Sequence, residues 1–108
     1  MFPEELIEKI VRQSPSLVVI DEAYFPFSGQ TALPLLTAHP NLVLLRTFSK
    51  AFSLAGLRVG FALCHPAVAR ELKKVMLPFV VNLFSEAAVA TALEQEALVD
   101  KQVREIVR

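Results

Sequence analysis

Leu17-Val-Val-Ile-Asp-Glu-Ala-Tyr24 and Leu42-Val-Leu-Leu-Arg-Thr-Phe-Ser-Lys50 are the two stretches on which the fold of this chain turns. Each starts as an unbroken apolar run, and the first, Leu17 to Ile20, is β-branched, as expected of a parallel strand covered on both faces. Each run then stops abruptly at polar residues. The first ends at Asp21, with Tyr24 three positions on; the second ends in Thr47, Ser49 and Lys50, with Arg58 further along. In open α/β sheets ligands sit outside the carboxyl ends of the strands, and both polar clusters fall there.

Outward from these runs the pattern is one of helices flanking strands. Pro3, Glu4 and Glu5 suit a helix first turn, where proline loses no hydrogen bond and acids complement the dipole. Leu6, Ile7, Ile10 and Val11 give that helix one apolar face as far as Ser14-Pro15. Phe25 to Gln30 reads as a loop, with one helical turn about Leu33 to Ala38, and His39-Pro40-Asn41 turns the chain into the strand 42 to 45. A third strand-like segment spans Arg58 to Leu63, and Pro66 opens a helix to about Val75. The apolar stretch Val75 to Leu93 is interrupted by Pro78, Asn82, Ser85 and Glu86, so it reads as a buried connection and a helix rather than a membrane span. A last long helix is expected from about Ser85 to the C-terminus. It carries an apolar line through Ala92, Val99, Val103 and Ile106, with Asp100–Arg104 and Lys101–Glu105 as i,i+4 pairs. The order helix, strand, strand, strand, helix, helix predicts part of an α/β layer.

Composition narrows the function. The chain has 108 residues, enough for one small domain, and 54% of them are hydrophobic, above the usual roughly 45–50%. Such a chain reads as the inside of something larger. Eleven basic and eleven acidic residues are spread without single-sign blocks, which gives no footprint for nucleic acid or an anionic membrane. The single cysteine, Cys64, lies in an apolar run and reads as a small hydrophobe, compatible with a reducing cytoplasm. The acid-bearing start, Met1-Phe-Pro-Glu-Glu, carries no recognisable targeting signal. His39 and His65 each precede a proline in a turn and lack partners at ligand spacing, so no metal site is read.

The polar clusters combine an amine, a carboxylate, a phenol, hydroxyls and a guanidinium. Taken singly, each has a plainer reading. Asp21 and Glu22 could be a helix cap or solvated pair, Lys50 a surface lysine, Arg58 a strand-edge ion-pair partner, Tyr24 a half-buried aromatic, and Thr47 and Ser49 turn formers. Jointly they are what a pyridoxal phosphate site requires: a lysine for the aldehyde, a carboxylate for the pyridine nitrogen, and hydroxyls with a guanidinium for the phosphate. Phe48, Phe52 and Phe61 read as packing rather than a base-stacking platform, and Phe25 and Phe27 as core rather than substrate contacts.

Asp21-Glu-Ala-Tyr24 and Arg46-Thr-Phe-Ser-Lys50-Ala-Phe-Ser-Leu-Ala-Gly-Leu-Arg58-Val-Gly-Phe61 resemble the two cofactor-binding motifs of fold-type I pyridoxal phosphate-dependent aminotransferases, most closely the histidinol-phosphate aminotransferase family. The resemblance runs from about Phe2 to the end. It implies that Lys50 is the lysine bonded to the cofactor, Asp21 the partner of its pyridine nitrogen and Tyr24 the phenol beside O3′, with Thr47, Ser49 and Arg58 at the phosphate, Ser49 and Arg58 more firmly. It further implies an α/β fold with a partial three-layer, mostly parallel sheet. Residues 1–108 would then be a central piece of the cofactor-binding large domain, whose last helix, from about 85, leads toward a smaller domain. Family members are several hundred residues long, so an intact parent, a cytoplasmic homodimer moving an amino group from histidinol phosphate to 2-oxoglutarate, would be the enzyme, and this piece alone inactive.

Two other classes compete. Val18-Val-Ile-Asp21-Glu22 also resembles the acid-tipped Walker B strand of a nucleotide hydrolase, but none of Gly29, Gly56 and Gly60 precedes a lysine as a phosphate loop requires. A noncatalytic α/β interaction module would leave Lys50 and Arg58 as surface charges.

Overall fold

A computed structural model describes residues 2–108; Met1, at the head of the acid-bearing start, lies outside them. The chain runs α1 (Glu4–Gln13), β1 (Val18–Asp21), the single-turn α2 (Phe25–Ser28), a 3₁₀ turn (Leu33–Thr37), β2 (Leu42–Thr47), a second 3₁₀ turn (Ala55–Leu57), β3 (Gly60–Cys64), α3 (Pro66–Val75), α4 (Leu83–Glu94) and α5 (Glu96–Val107). α1 stops where the sequence says it should: Ser14, ahead of Pro15, is extended, because a residue before proline is pushed out of the helical region. Asn41 fastens the helix end to the start of β2, its Nδ2 donating to the carbonyls of Val11 at 2.9 Å and Ser16 at 3.3 Å.

The strands lie side by side in the order β1-β2-β3. β1 and β2 are parallel, with Asp21 opposite Leu45, and β2 and β3 are antiparallel, with Thr47 opposite Gly60. The α/β class holds, but within this chain the sheet is mixed rather than mostly parallel. The link 48–59 carries only a 3₁₀ turn, and a parallel return needs a longer crossover, usually a helix. β3 starts at Gly60, not Arg58, because Arg58 takes a left-handed conformation (φ 56°) that closes the 3₁₀ turn. Gly60 is where the returning strand comes closest: a Cβ there would sit 2.8 Å from the Arg46 carbonyl oxygen. Gly60→Ala is therefore expected to cost about 1–3 kcal/mol, read as a lower urea midpoint.

Ile7 and Val11 of α1, Ala32 and Leu35, and Leu42 and Leu44 of β2 form the core, with Val18, Ile20, Leu36 and Leu63 packed around it. Side chains alternate across a strand, so Leu42, Leu44 and Arg46 share the face toward α1, and Val43, Leu45 and Thr47 the other. Coverage of both faces, expected for the first strand, is incomplete: on the outer face Val43 is buried, but Val19 is 54% exposed and Leu45 also faces solvent. The molecule measures 40 × 39 × 19 Å, a slab about two layers thick where packed layers lie about 10 Å apart. On α1 only Ile7 and Val11 of the expected apolar face are buried; Leu6 and Ile10 are exposed.

The expected buried connection after Val75 is in fact open. Met76, Leu77, Val80, Val81 and Leu83 are exposed, and Phe79 and Phe84 are 97% and 82% exposed, because no described element packs over them. The expected long C-terminal helix is broken at Gln95 (φ −107°, ψ 30°), which caps both α4 and α5. Asp100–Arg104 and Lys101–Glu105 are not among the ion pairs formed; Arg12–Glu8 and Lys74–Glu71 are. Among the described residues no helix is long and apolar enough to cross a membrane.

Candidate functional site

The carboxyl ends of β1 and β2 bring the candidate residues to one edge of the sheet. Asp21 is the last residue of β1 and, by alternation, shares with Val19, Leu45 and Thr47 the face away from α1. Its side chain folds back locally, Oδ1 accepting from the Ala23 amide at 2.9 Å, and it stays exposed. The turn it shapes carries Tyr24 to the loop that follows β2. There the Lys50 Nζ lies over the Tyr24 ring, 5.3 Å from its centroid, within cation–π range. Two segments far apart in sequence thus place an amine on a phenol beside a strand-end carboxylate. Lys50 and Tyr24 are both exposed, Tyr24 by 61%.

β2 ends in a tight loop. The Thr47 hydroxyl donates to the Val59 carbonyl at 3.3 Å and accepts from the Ser49 amide at 3.0 Å. The Phe48 amide also donates to Val59, and the Leu54 amide closes the loop on the Phe48 carbonyl at 3.1 Å. Phe48 anchors this loop from below, its ring 5.0 Å from Phe52 and 5.5 Å from Phe61, so the three phenylalanines pack against one another as the sequence suggests. Arg58 follows at the left-handed turn, exposed, with Nη1 donating to the Ala55 carbonyl at 2.9 Å. Ser85, fully buried at the start of α4, ties this turn down by donating to the Leu57 carbonyl at 3.0 Å. The structure therefore brings Asp21, Tyr24, Thr47, Ser49 and Lys50 to neighbouring strand ends, with Arg58 on the return from the same loop.

The sequence reading passed over the inner face of the same edge. Glu22 is 1% exposed. Its carboxylate accepts from Thr31 Oγ1 at 3.0 and 2.9 Å, the Ala32 amide at 2.7 Å, and Arg46 Nε and Nη2 at 3.0 and 2.9 Å. Arg46 also donates to Thr31 Oγ1 at 2.9 Å and stacks over the Phe25 ring at 3.9 Å. The signal was present: successive residues on a strand face opposite ways, so of Asp21 and Glu22 one must turn inward, and a buried carboxylate requires donors. The two histidines hold turns, as expected. His65 caps α3, its Nδ1 accepting from the Ala67 amide at 3.2 Å, and His39 Nε2 lies 3.7 Å from Glu8.

A mixed α/β edge with this set of amine, acid, phenol and hydroxyls is the kind of site at which a family can be assigned. Residues 1–108 match the model of the aminotransferase class I and II family, and the chain belongs to that family. It is 47% identical over 106 residues to the histidinol-phosphate aminotransferase of Thermococcus kodakarensis, a match covering 98% of this chain and 31% of the relative. It is 54% identical over 86 residues to that of Synechococcus sp. strain JA-3-3Ab, covering 78% and 24%. Among solved structures, histidinol-phosphate aminotransferase from Sinorhizobium meliloti in complex with pyridoxal-5′-phosphate superposes with a TM-score of 0.86 at 32% identity, over 97% of this chain and 30% of that one. The chain thus spans about a third or less of the length of these relatives. Membership in this family favours the aminotransferase reading over the nucleotide hydrolase and the noncatalytic module.

Proposed function

We propose that this chain is the cofactor-binding centre of a longer, pyridoxal 5′-phosphate-dependent aminotransferase that moves an amino group between histidinol phosphate and 2-oxoglutarate, acting as a cytoplasmic homodimer. The observation that carries the reading is the Lys50 amine held over the Tyr24 ring at neighbouring strand ends. In this reading residues 1–108 are a central piece of the large domain and the helices from about 85 lead toward a smaller one. The bare apolar run from Val75 to Phe84 supports it, since an exposed patch of that kind marks a surface that more protein covers.

The donor set fits the cofactor. An accessible amine, Lys50, stands ready for an aldehyde, and Asp21 offers a carboxylate on the outer face for a pyridine nitrogen. The Thr47 hydroxyl already donates to Val59, which favours Ser49 and the remaining N–H groups of Arg58 as phosphate donors. When bound, pyridoxal phosphate supplies an electron sink that stabilises negative charge at the substrate's Cα. Asp21 would hold positive charge at the ring nitrogen by opposing it with its own. Tyr24 would donate a hydrogen bond to the cofactor's phenolic oxygen, and Lys50 Nζ, once the substrate's amine has taken its place, would carry a proton from the substrate's Cα to the carbon that had held the aldehyde. Arg58 would grip the phosphate with a planar fork that lysine could not copy.

The test is incubation of the chain with pyridoxal phosphate at low excess, borohydride reduction and peptide mapping. The label is expected on Lys50 ahead of Lys9, Lys73, Lys74 and Lys101, and is expected to vanish from that peptide in Lys50→Ala. Equal labelling of all five lysines would refute the site. The same chain is expected to show no transamination by itself; measurable turnover would refute the reading that more of the protein is needed.

A further inference from the structure

We infer that Glu22 is a positioning residue: with Arg46 it locks the strand end that carries Asp21 and Tyr24 to the strand end that carries Thr47, Ser49 and Lys50. Glu22 directly follows Asp21, and Arg46 directly precedes Thr47. The two side chains meet on the inner face of the sheet while Asp21 and Thr47 occupy the outer one. The clamp is thus one residue from the site on each strand yet on the opposite side of the backbone, where it cannot touch a ligand held by Asp21.

The bonding is saturated. The two Glu22 oxygens take every donor that reaches them from Thr31, Ala32 and Arg46, and no buried side-chain polar atom among the described residues lacks a partner. A carboxylate so occupied is poorly suited to shuttle protons. It is well suited to fix angle and register, because the guanidinium closes on Oε2 through both Nε and Nη2 and Nη2 also donates to Thr31 Oγ1, which leaves it little freedom to rotate. Arg46 extends the lock to the Tyr24 turn by lying on Phe25, the next residue. The backbone reinforces it, with the Glu22 amide donating to the Leu45 carbonyl at 2.8 Å. A buried ion pair is often no more stabilising than apolar groups of the same volume, so its geometry, rather than its energy, is what a substitution can separate.

The inference rests on the cofactor reading above for its purpose, but its geometry can be tested without the cofactor. Tyr24 is the only tyrosine, so a nuclear Overhauser contact between its ring protons and the Lys50 Cε protons reports the juxtaposition directly. The contact is expected in the unsubstituted chain. It is expected to disappear in the folded apolar pair Glu22→Leu with Arg46→Met, which leaves no charge uncompensated but gives up the acceptor of the Ala32 amide. Arg46→Lys keeps the charge but loses the fork; it carries the same prediction and serves if the apolar pair does not fold. A contact at full strength in either folded variant, or none in the unsubstituted chain, overturns the inference. Labelling with pyridoxal phosphate and borohydride adds the second arm, with Lys50's preference over the other lysines expected to fall about tenfold or more once the clamp is gone. A chain that shows the Tyr24 contact but never labels Lys50 refutes the cofactor reading and leaves the clamp standing. A preference that survives loss of the clamp overturns the clamp alone.

Discussion

Glu22→Ala is expected to lower the stability of the chain by about 3–5 kcal/mol, since removing one partner of a buried pair leaves the other uncompensated. The alanine would strand the Arg46 guanidinium, whose side chain is only 17% exposed and is pinned over Phe25. It would also leave the Ala32 amide and the Thr31 hydroxyl without their acceptor. Against a total of about 5–15 kcal/mol for a domain of ordinary stability, that loss brings the chain close to unfolding at room temperature. Urea denaturation followed by far-ultraviolet circular dichroism is the measurement. Glu22→Gln keeps the shape and one acceptor, so its loss is expected to be smaller. A change below about 1 kcal/mol for the alanine variant would mean that the pair is an ordinary surface contact.

Leu44→Ala should come next, at about 2–5 kcal/mol. Leu44 is fully buried at the centre of the middle strand, opposite Ile20 of β1 and Leu63 of β3, and belongs to the cluster that Ile7 and Val11 of α1 seal. A cavity there is walled by the strand on either side and by the helix above, and none of these can close it without breaking the strand pairing. Val19→Ala is the control: Val19 sits one strand over, on the open face, and its loss is expected to stay within about 0.5 kcal/mol. Equal effects at the two positions would contradict the one-sided core.

What the sequence revealed and what it hid have separate physical causes. The strands were legible because unbroken apolar runs with abrupt polar ends have few other uses. That Asp21 and Lys50 lie at neighbouring strand ends followed from where the apolar runs stop; the Lys50–Tyr24 contact itself was not read from the sequence. The antiparallel return of β3 was hidden because direction depends on the length of the connection, and 48–59 contains polar residues that suggest a site before they suggest a tight loop. The Glu22–Arg46 clamp was hidden because an acid beside another acid looks solvated until its partner, on a different strand, is known. The break at Gln95 leaves no trace in the apolar pattern, which runs through it. The exposure of Phe79 and Phe84 could not be read from hydropathy, which records what a residue prefers and not whether anything arrives to cover it.

The most direct measurement is the nitrogen-15 chemical shift of ring-labelled pyridoxal phosphate bound to the chain, compared with the same cofactor on Asp21→Asn. If the Asp21 carboxylate and the Lys50 amine address one ring from neighbouring strand ends, the unsubstituted chain gives the shift of a protonated pyridine nitrogen and Asp21→Asn moves it to the unprotonated value. An identical shift in both proteins would show that Asp21 does not face the ring that Lys50 holds.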